Sequence, residues 1–280
     1  MNKLTVYITI FFLPLNIVLA QTTVNTPTVS QSDSILKLIK FIPGQYNYLN
    51  VDILDNIYLI TNANQLKKLN ATGDPIAFFS DVKKYGNPNS IDVSNPLKII
   101  VYYKNFATIV VLDRLLVLRN SINLRNKNIF TATTICSSYD NNIWIFDEQD
   151  FKIKKLDEQG GIITESADMR MLTNDTPSPI QIIDASNQLY LYDKKKGFYL
   201  FDYYGAFKSS LPFLNWQNVT IDRHTIYGFS ANTLFSYTLQ SLQLKEYHLP
   251  TYIKGYKSIK ALNGKLYVLK DDGLEVYEVL

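Results

Sequence analysis

Residues 140–161 read D-N-N-I-W-I-F-D-E-Q-D-F-K-I-K-K-L-D-E-Q-G-G. A polar turn of Asp140, Asn141 and Asn142 leads into the apolar run Ile143, Trp144, Ile145, Phe146. A second polar turn, 147–150, leads into Phe151, Ile153 and Leu156, and Gly160 with Gly161 closes the unit. The apolar runs are too short for helices and are punctuated by turn formers. The unit therefore reads strand, turn, strand, turn.

The same unit recurs along the chain. Its opening apolar residue is found at Ile57, Leu97, Ile143, Leu189, Ile226 and Leu266, followed by Tyr or Trp everywhere except at Leu97. The spacings are 40, 46, 46, 37 and 40 residues. A period of about 42 residues, all strand, is the pattern of propeller blades. In the first unit the pattern predicts four strands, over 46–51, 57–61, 65–69 and 75–80. The run 57–60 is apolar at every position, as a strand buried on both faces requires. Residues 34–280 thus form one β-propeller domain. The last unit stops after its third strand, 274–280, while a spare strand, 35–42, precedes the first. Pairing the two removes two open edges. The sequence therefore predicts an all-β, six-bladed β-propeller closed by pairing of an N-terminal strand with the C-terminal blade.

Residues 1–20 stand apart from the repeats. A short basic start, a mostly apolar stretch over 4–19 and Val18-Leu19-Ala20 predict a secretory signal peptide cleaved before Gln21. Pro14 and Asn16 interrupt a run already short for a membrane span. Residues 21–33, rich in Thr and Ser, read as a flexible leader. The single Cys136 lies in the inner-strand run 132–137 and reads as a small buried hydrophobe. An exported chain that cannot form an internal disulfide suits a bacterial periplasm at least as well as a eukaryotic secretory route.

A formal charge of +3 with interspersed acids and bases demands no nucleic-acid partner. The basic clusters Lys67-Lys68, Lys83-Lys84 and Lys194-Lys195-Lys196 read as solvated loops. The two histidines, His224 and His248, belong to no zinc-binding spacing, and no nucleophile elbow or phosphate loop occurs. Asp52, Asp92, Asp184 and Asp222 each fall at or just after the end of an inner strand. A short carboxylate capping the following turn explains them; a calcium-binding ring is the alternative. The expectation is a protein without catalytic residues, metal or cofactor.

One resemblance extends this reading. The export signal is followed by D-N-I-Y-L-I, by Leu66-Lys67-Lys68-Leu69, and by I-D-V-S-N-P-L-K-I-I over 91–100. Then come Val110-Val111-Leu112-Asp113, Ile143 to Asp147, and Phe201-Asp202-Tyr203-Tyr204-Gly205. Over residues 34–280 the order resembles a family of exported propellers from Bacteroidota, one branch of which is similar to the plug protein of the type 9 secretion translocon. The resemblance implies a periplasmic protein that docks on an outer-membrane or secretion-system protein. It carries over no site residue. A propeller enzyme or glycan-binding module acting at the channel mouth is the alternative. In a four-stranded blade the turn between strands two and three shares a rim with the link to the next blade. That rim collects the longer loops, where recognition residues gather. Lys104, Asn105, Lys194, Lys195, Lys196 and Tyr252 are its candidate protein-binding residues. The opposite rim, with short turns such as Asn141-Asn142, reads as structural.

Overall fold

The computed structural model describes residues 30–33 and 36–279. The expected signal peptide and most of the leader lie outside them. The described chain is a six-bladed β-propeller. Its inner strands are Tyr46–Val51, Ser90–Asn95, Ala132–Ser137, Gln181–Ala185, Gln217–Asp222 and Ser258–Leu262. Each begins a sheet of antiparallel neighbours running outward, and each sheet is a blade. In blade one the order is Tyr46–Val51, Ile57–Thr61, Leu66–Leu69, Pro75–Phe79.

Blade six is built from both ends of the described chain. Ser258–Leu262, Lys265–Leu269 and Gly273–Val279 are its first three strands, and Leu36–Pro43 lies antiparallel to the third, with Leu36 opposite Val279 and Pro43 opposite Gly273. The expected leader differs at its end. Ser30–Asp33 is a strand, parallel to Gln243–His248, the fourth strand of blade five. An outer strand offers a row of unpaired N–H and C=O groups, and an extended polar segment can pair with them whatever its side chains.

The second strands explain why their sequences do not alternate. In Lys98–Tyr103, residues Ile99, Val101 and Tyr103 pack with blade one, while Ile100 and Tyr102 pack with blade three. Both faces are dry, so every position is apolar or has a buried partner. The core is accordingly six clusters, each shared by two neighbouring blades, including one between blades six and one that joins Leu262, Tyr267 and Leu274 to Tyr46, Leu49 and Ile57. Outer strands alternate or are exposed, as in Phe207–Leu211.

Two short helices, Val82–Tyr85 and Met169–Thr173, occupy links between blades, and three 3-10 turns occupy a blade turn and two further links. Lys68 departs from the loop reading. It lies in the third strand of blade one, buried, with its ammonium donating to the Arg114 carbonyl at 2.9 Å and resting over the Tyr58 ring. Its aliphatic stem covers apolar surface while its head finds an acceptor on blade two.

Deleting residues 36–43 leaves the 273–279 strand with a free edge and removes Ile42 from its cluster with blade one. The expected outcome is aggregation or loss of a single cooperative melting transition, read by circular dichroism. Unchanged melting of the deletion variant contradicts this account of blade six.

Candidate functional site

The inner strands surround a central channel and are not hydrogen-bonded to one another as a ladder. Their mutual position is set by side chains, and every one of the six joints has at least one such bond. Between blades one and two, Asn50 Nδ2 donates to the Ile91 carbonyl at 2.7 Å, and the Tyr48 hydroxyl both donates to Ile91 O and accepts from Ile91 N. Between two and three, Ser137 N donates to Asp92 at 2.7 Å. Between three and four, Ile182 N donates to Thr134 Oγ1 at 3.1 Å. Gln181 Nε2 donates to Val219 O at 3.0 Å between four and five. Ser258 Oγ donates to Asn218 Oδ1 at 3.2 Å between five and six. Lys260 Nζ donates to Asn50 Oδ1 between six and one.

The four aspartates divide between two tasks. Asp52 caps its own turn, accepting from Leu54 N and Asn56 N. Asp92 does both, accepting from the Ser94 hydroxyl and from Ser137 N. Asp184 faces blade three, where it accepts from Tyr203 of its own blade at 2.6 Å and from Tyr139 N and Trp144 Nε1 across the joint. Burial pushes the Asp184 carboxyl up, and these donors oppose the rise. Asp222 accepts from Asn263 N of blade six. The carboxylates thus spend themselves on separate donors. Among the described residues no three His, Cys, Asp or Glu side chains form a group able to hold a metal ion.

The channel is divided by its middle layer into a polar upper part and a more apolar lower part. An upper cavity of about 430 Å³ opens toward the rim of the links and is lined by Asn47, Tyr48, Ser90, Thr220, Lys257 and Lys260 among others. A lower cavity of about 260 Å³ is lined by Asp52, Asp92, Cys136, Asp184 and Lys260. Asn50, Asp92, Gln181, Thr220 and Lys260 border both. Burial draws the Lys260 ammonium down to a pKa of about 8, against the pull of Asp92 and Asp52. Cys136 is buried and its thiol is pushed well up by that burial, so it offers little thiolate. His224 and His248 are exposed and line neither cavity.

The sequence-derived rim residues share a rim but not one patch. Lys104 and Asn105 sit on the turn of blade two, Lys194, Lys195 and Lys196 on that of blade four, and Tyr252 on the link from five to six. Among the described residues no ion pair engages Lys104, Lys194 or Lys195, and all three are exposed. Lys196 is paired with Asp175. Tyr252 is half exposed; its ring packs on Tyr277 at 5.9 Å and its hydroxyl donates to Leu36 O at 3.4 Å, so it also fastens the N-terminal strand. Exposed apolar side chains share this rim: Phe106 on the turn of blade two, and Phe130, Met171, Ile180 and Leu214 on links. The opposite rim is not purely structural, because Ile53, Leu54, Leu97 and Tyr139 are exposed around its channel mouth. Sequence reasoning passed over Lys260. Its signal was a lysine between Ile259 and Ala261 of an inner strand, where alternation aims it away from the core.

No family model matches the chain, and no curated protein matches it. Solved structures match its fold. A catalytically inactive virginiamycin B lyase from Staphylococcus aureus, determined with quinupristin, is 14% identical, with a TM-score of 0.62 over 88% of this chain and 100% of that one. A Bacteroides fragilis protein named as exported is 13% identical, with a TM-score of 0.60 over 91% and 98%. The extracellular domain of a hybrid two-component system from B. thetaiotaomicron is 13% identical, with a TM-score of 0.52 over 80% of this chain and 32% of that one. Such identities establish the propeller fold alone. Among the described residues no helix is long and apolar enough to cross a membrane.

The joint between blades six and one has a second fastening, which supplies a test. Asp55 accepts from Asn263 Nδ2 at 2.9 Å, Lys265 Nζ at 2.6 Å and Tyr267 OH at 3.1 Å. Burial raises its carboxyl pKa, but the Lys265, Asn263 and Tyr267 contacts outweigh this and leave it below the usual range. A carboxyl depressed on folding adds stability above its unfolded pKa of about 4, lost as pH falls through the folded value. Asp55→Ala should therefore cost about 1–3 kcal/mol at pH 7, and the deficit should shrink below pH 4. Denaturant melts across pH check this; a deficit that is absent, or constant with pH, counts against the assignment.

Proposed function

We propose that this chain is a non-catalytic, exported β-propeller of a bacterial periplasm that docks on an outer-membrane or secretion-system protein through the rim of its links. The observation that carries the reading is the combination on that rim. Unpaired lysines (Lys104, Lys194, Lys195) stand among exposed large apolar side chains (Phe106, Phe130, Met171, Leu214), all on loops held by a rigid ring. Exposed apolar groups and ammonium groups on a fixed scaffold suit a partner surface that offers apolar area and carboxylates. The absence of catalysis is supported by the spent carboxylates and by the position of both histidines outside the channel. Export is supported by the signal-like residues 1–20 and fits fold neighbours that are exported or extracellular. Plugging a type 9 translocon is the finer form of the proposal and rests on the sequence resemblance.

The test is capture of partners from detergent-solubilised bacterial envelope by the tagged mature chain. Lys194→Glu with Lys195→Glu should reduce recovery of the partner at least ten-fold with an unchanged melting midpoint, since among the described residues neither ammonium has an ion-pair partner to lose. Tyr252→Ala should lower both capture and stability, because Leu36 and Tyr277 lose a contact. Wild-type recovery by the double lysine variant overturns the proposed face.

A further inference from the structure

We propose that the upper half of the central channel is a binding site for a small polyhydroxylated carboxylate, a sugar acid in size and chemistry, with its carboxylate held at Lys260. The first observation is the polarity of the channel. The charged residues lining the upper cavity are Lys257, Lys260 and Asp92; those lining the lower are Asp52, Asp92, Asp184 and Lys260. With Lys257 offset by Asp271, an anion entering from the link rim meets no net charge, and one entering from the other mouth meets net negative charge. Low-dielectric walls accentuate that difference.

The second observation is what Lys260 lacks. An ammonium partly withdrawn from water, as half-buried Lys260 is, gains from an anionic partner or several acceptors. Lys260 donates to one neutral acceptor, Asn50 Oδ1. The nearest acids cannot readily turn to it. Asp92 is occupied by Ser94 and Ser137 N, and Asp52 by Leu54 N, Asn56 and Tyr58. Burial correspondingly depresses its basicity. Lys257, by contrast, is already paired with Asp271 at 3.0 Å. Buried Lys68 has the Arg114 carbonyl and the Tyr58 ring, while two further buried lysines have acids. Lys154 meets Asp147 and Asp150, and Lys155 meets Asp140. A bound carboxylate would give Lys260 what those have.

The third observation is the rest of the wall. Hydroxyls and amides dominate it, including Asn47, Asn89, Ser90, Gln181, Thr220 and Ser258. Such groups both donate and accept, and so suit ligand hydroxyls; Tyr48 is the single aromatic among the lining residues, and its hydroxyl is bonded to Ile91. The volume of about 430 Å³ lies within the range of small-ligand sites.

The experiment is isothermal titration of the mature chain with D-glucuronate, D-glucose and acetate. Saturable glucuronate binding, at least ten-fold tighter than either glucose or acetate, is the expected result. Lys260→Met should abolish it, with folding confirmed by circular dichroism. A measurement on the unaltered protein runs beside it: glucuronate should slow acetylation of Lys260 at least ten-fold, read by peptide mass spectrometry, without slowing that of Lys194. The proposal is overturned if glucuronate gives no saturable heat, if glucose or acetate matches it, if folded Lys260→Met still binds, or if acetylation of Lys260 is unaffected.

Discussion

The constraint on which this structure depends is the lack of a backbone ladder between blades. Within a blade, each strand is paired with its neighbours along its length. Between the inner strands of neighbouring blades, the hydrogen bonds are made through side chains. Burial of apolar faces between adjacent sheets supplies most of the cohesion, but it is non-directional. Hydrogen bonds such as Ser137 N to Asp92 and Ile182 N to Thr134 supply direction, because a donor or acceptor displaced from its partner inside the ring is left unsatisfied. The joint between blades six and one joins residues more than 200 apart in sequence, and it carries the densest set: Lys260 with Asn50, and Asp55 with Asn263, Lys265 and Tyr267. Polar bonds between segments so far apart in sequence offset the entropy of closing a long loop.

That arrangement bears on function. A ring fastened on all sides presents its loops at fixed positions, so the rims can act as recognition surfaces without ordering costs on binding. The links hold their own shape through local bonds: Asp168 caps the helix Met169–Thr173 by accepting from Arg170 N, and Asn123 accepts from Arg125 N ahead of the turn that follows it. Lys194 and Lys195 are carried by a turn whose Asp193 accepts from Lys195 N, which leaves both ammonium groups facing outward. The channel contributes differently. Its middle layer both fastens blades and divides the interior, so Lys260 belongs to the ring's structure and to a cavity at once.

The repeat was legible because blade sequences must satisfy two dry faces. Ile57–Thr61 falls on the bounds its apolar run suggested, because a strand buried on both faces accepts apolar residues at successive positions. The N-terminal strand was legible from the missing fourth strand of the last unit. The strand at Ser30–Asp33 was not, because parallel pairing at an edge uses the backbone and leaves no side-chain pattern. The aspartates were half legible. A capping role follows from local sequence, as at Asp52, but the partners of Asp184 and Asp222 lie about 40 residues away on the next sheet. Lys68 and Lys260 escaped for the same reason. Their acceptors, Arg114 O and Asn50 Oδ1, are defined only once blades are side by side.

The central claim is that the blades are fastened into one unit by these bonds, and native-state hydrogen exchange tests it most directly. The amides of Ile91, Ser137 and Ile182 donate to Tyr48, Asp92 and Thr134 of adjacent blades, so each reports the opening of one joint. The account predicts that all three exchange with the free energy and denaturant dependence of global unfolding, as ladder amides such as that of Ile145 do. Exchange of the joint amides through low-energy local opening, while Ile145 stays protected, would contradict it.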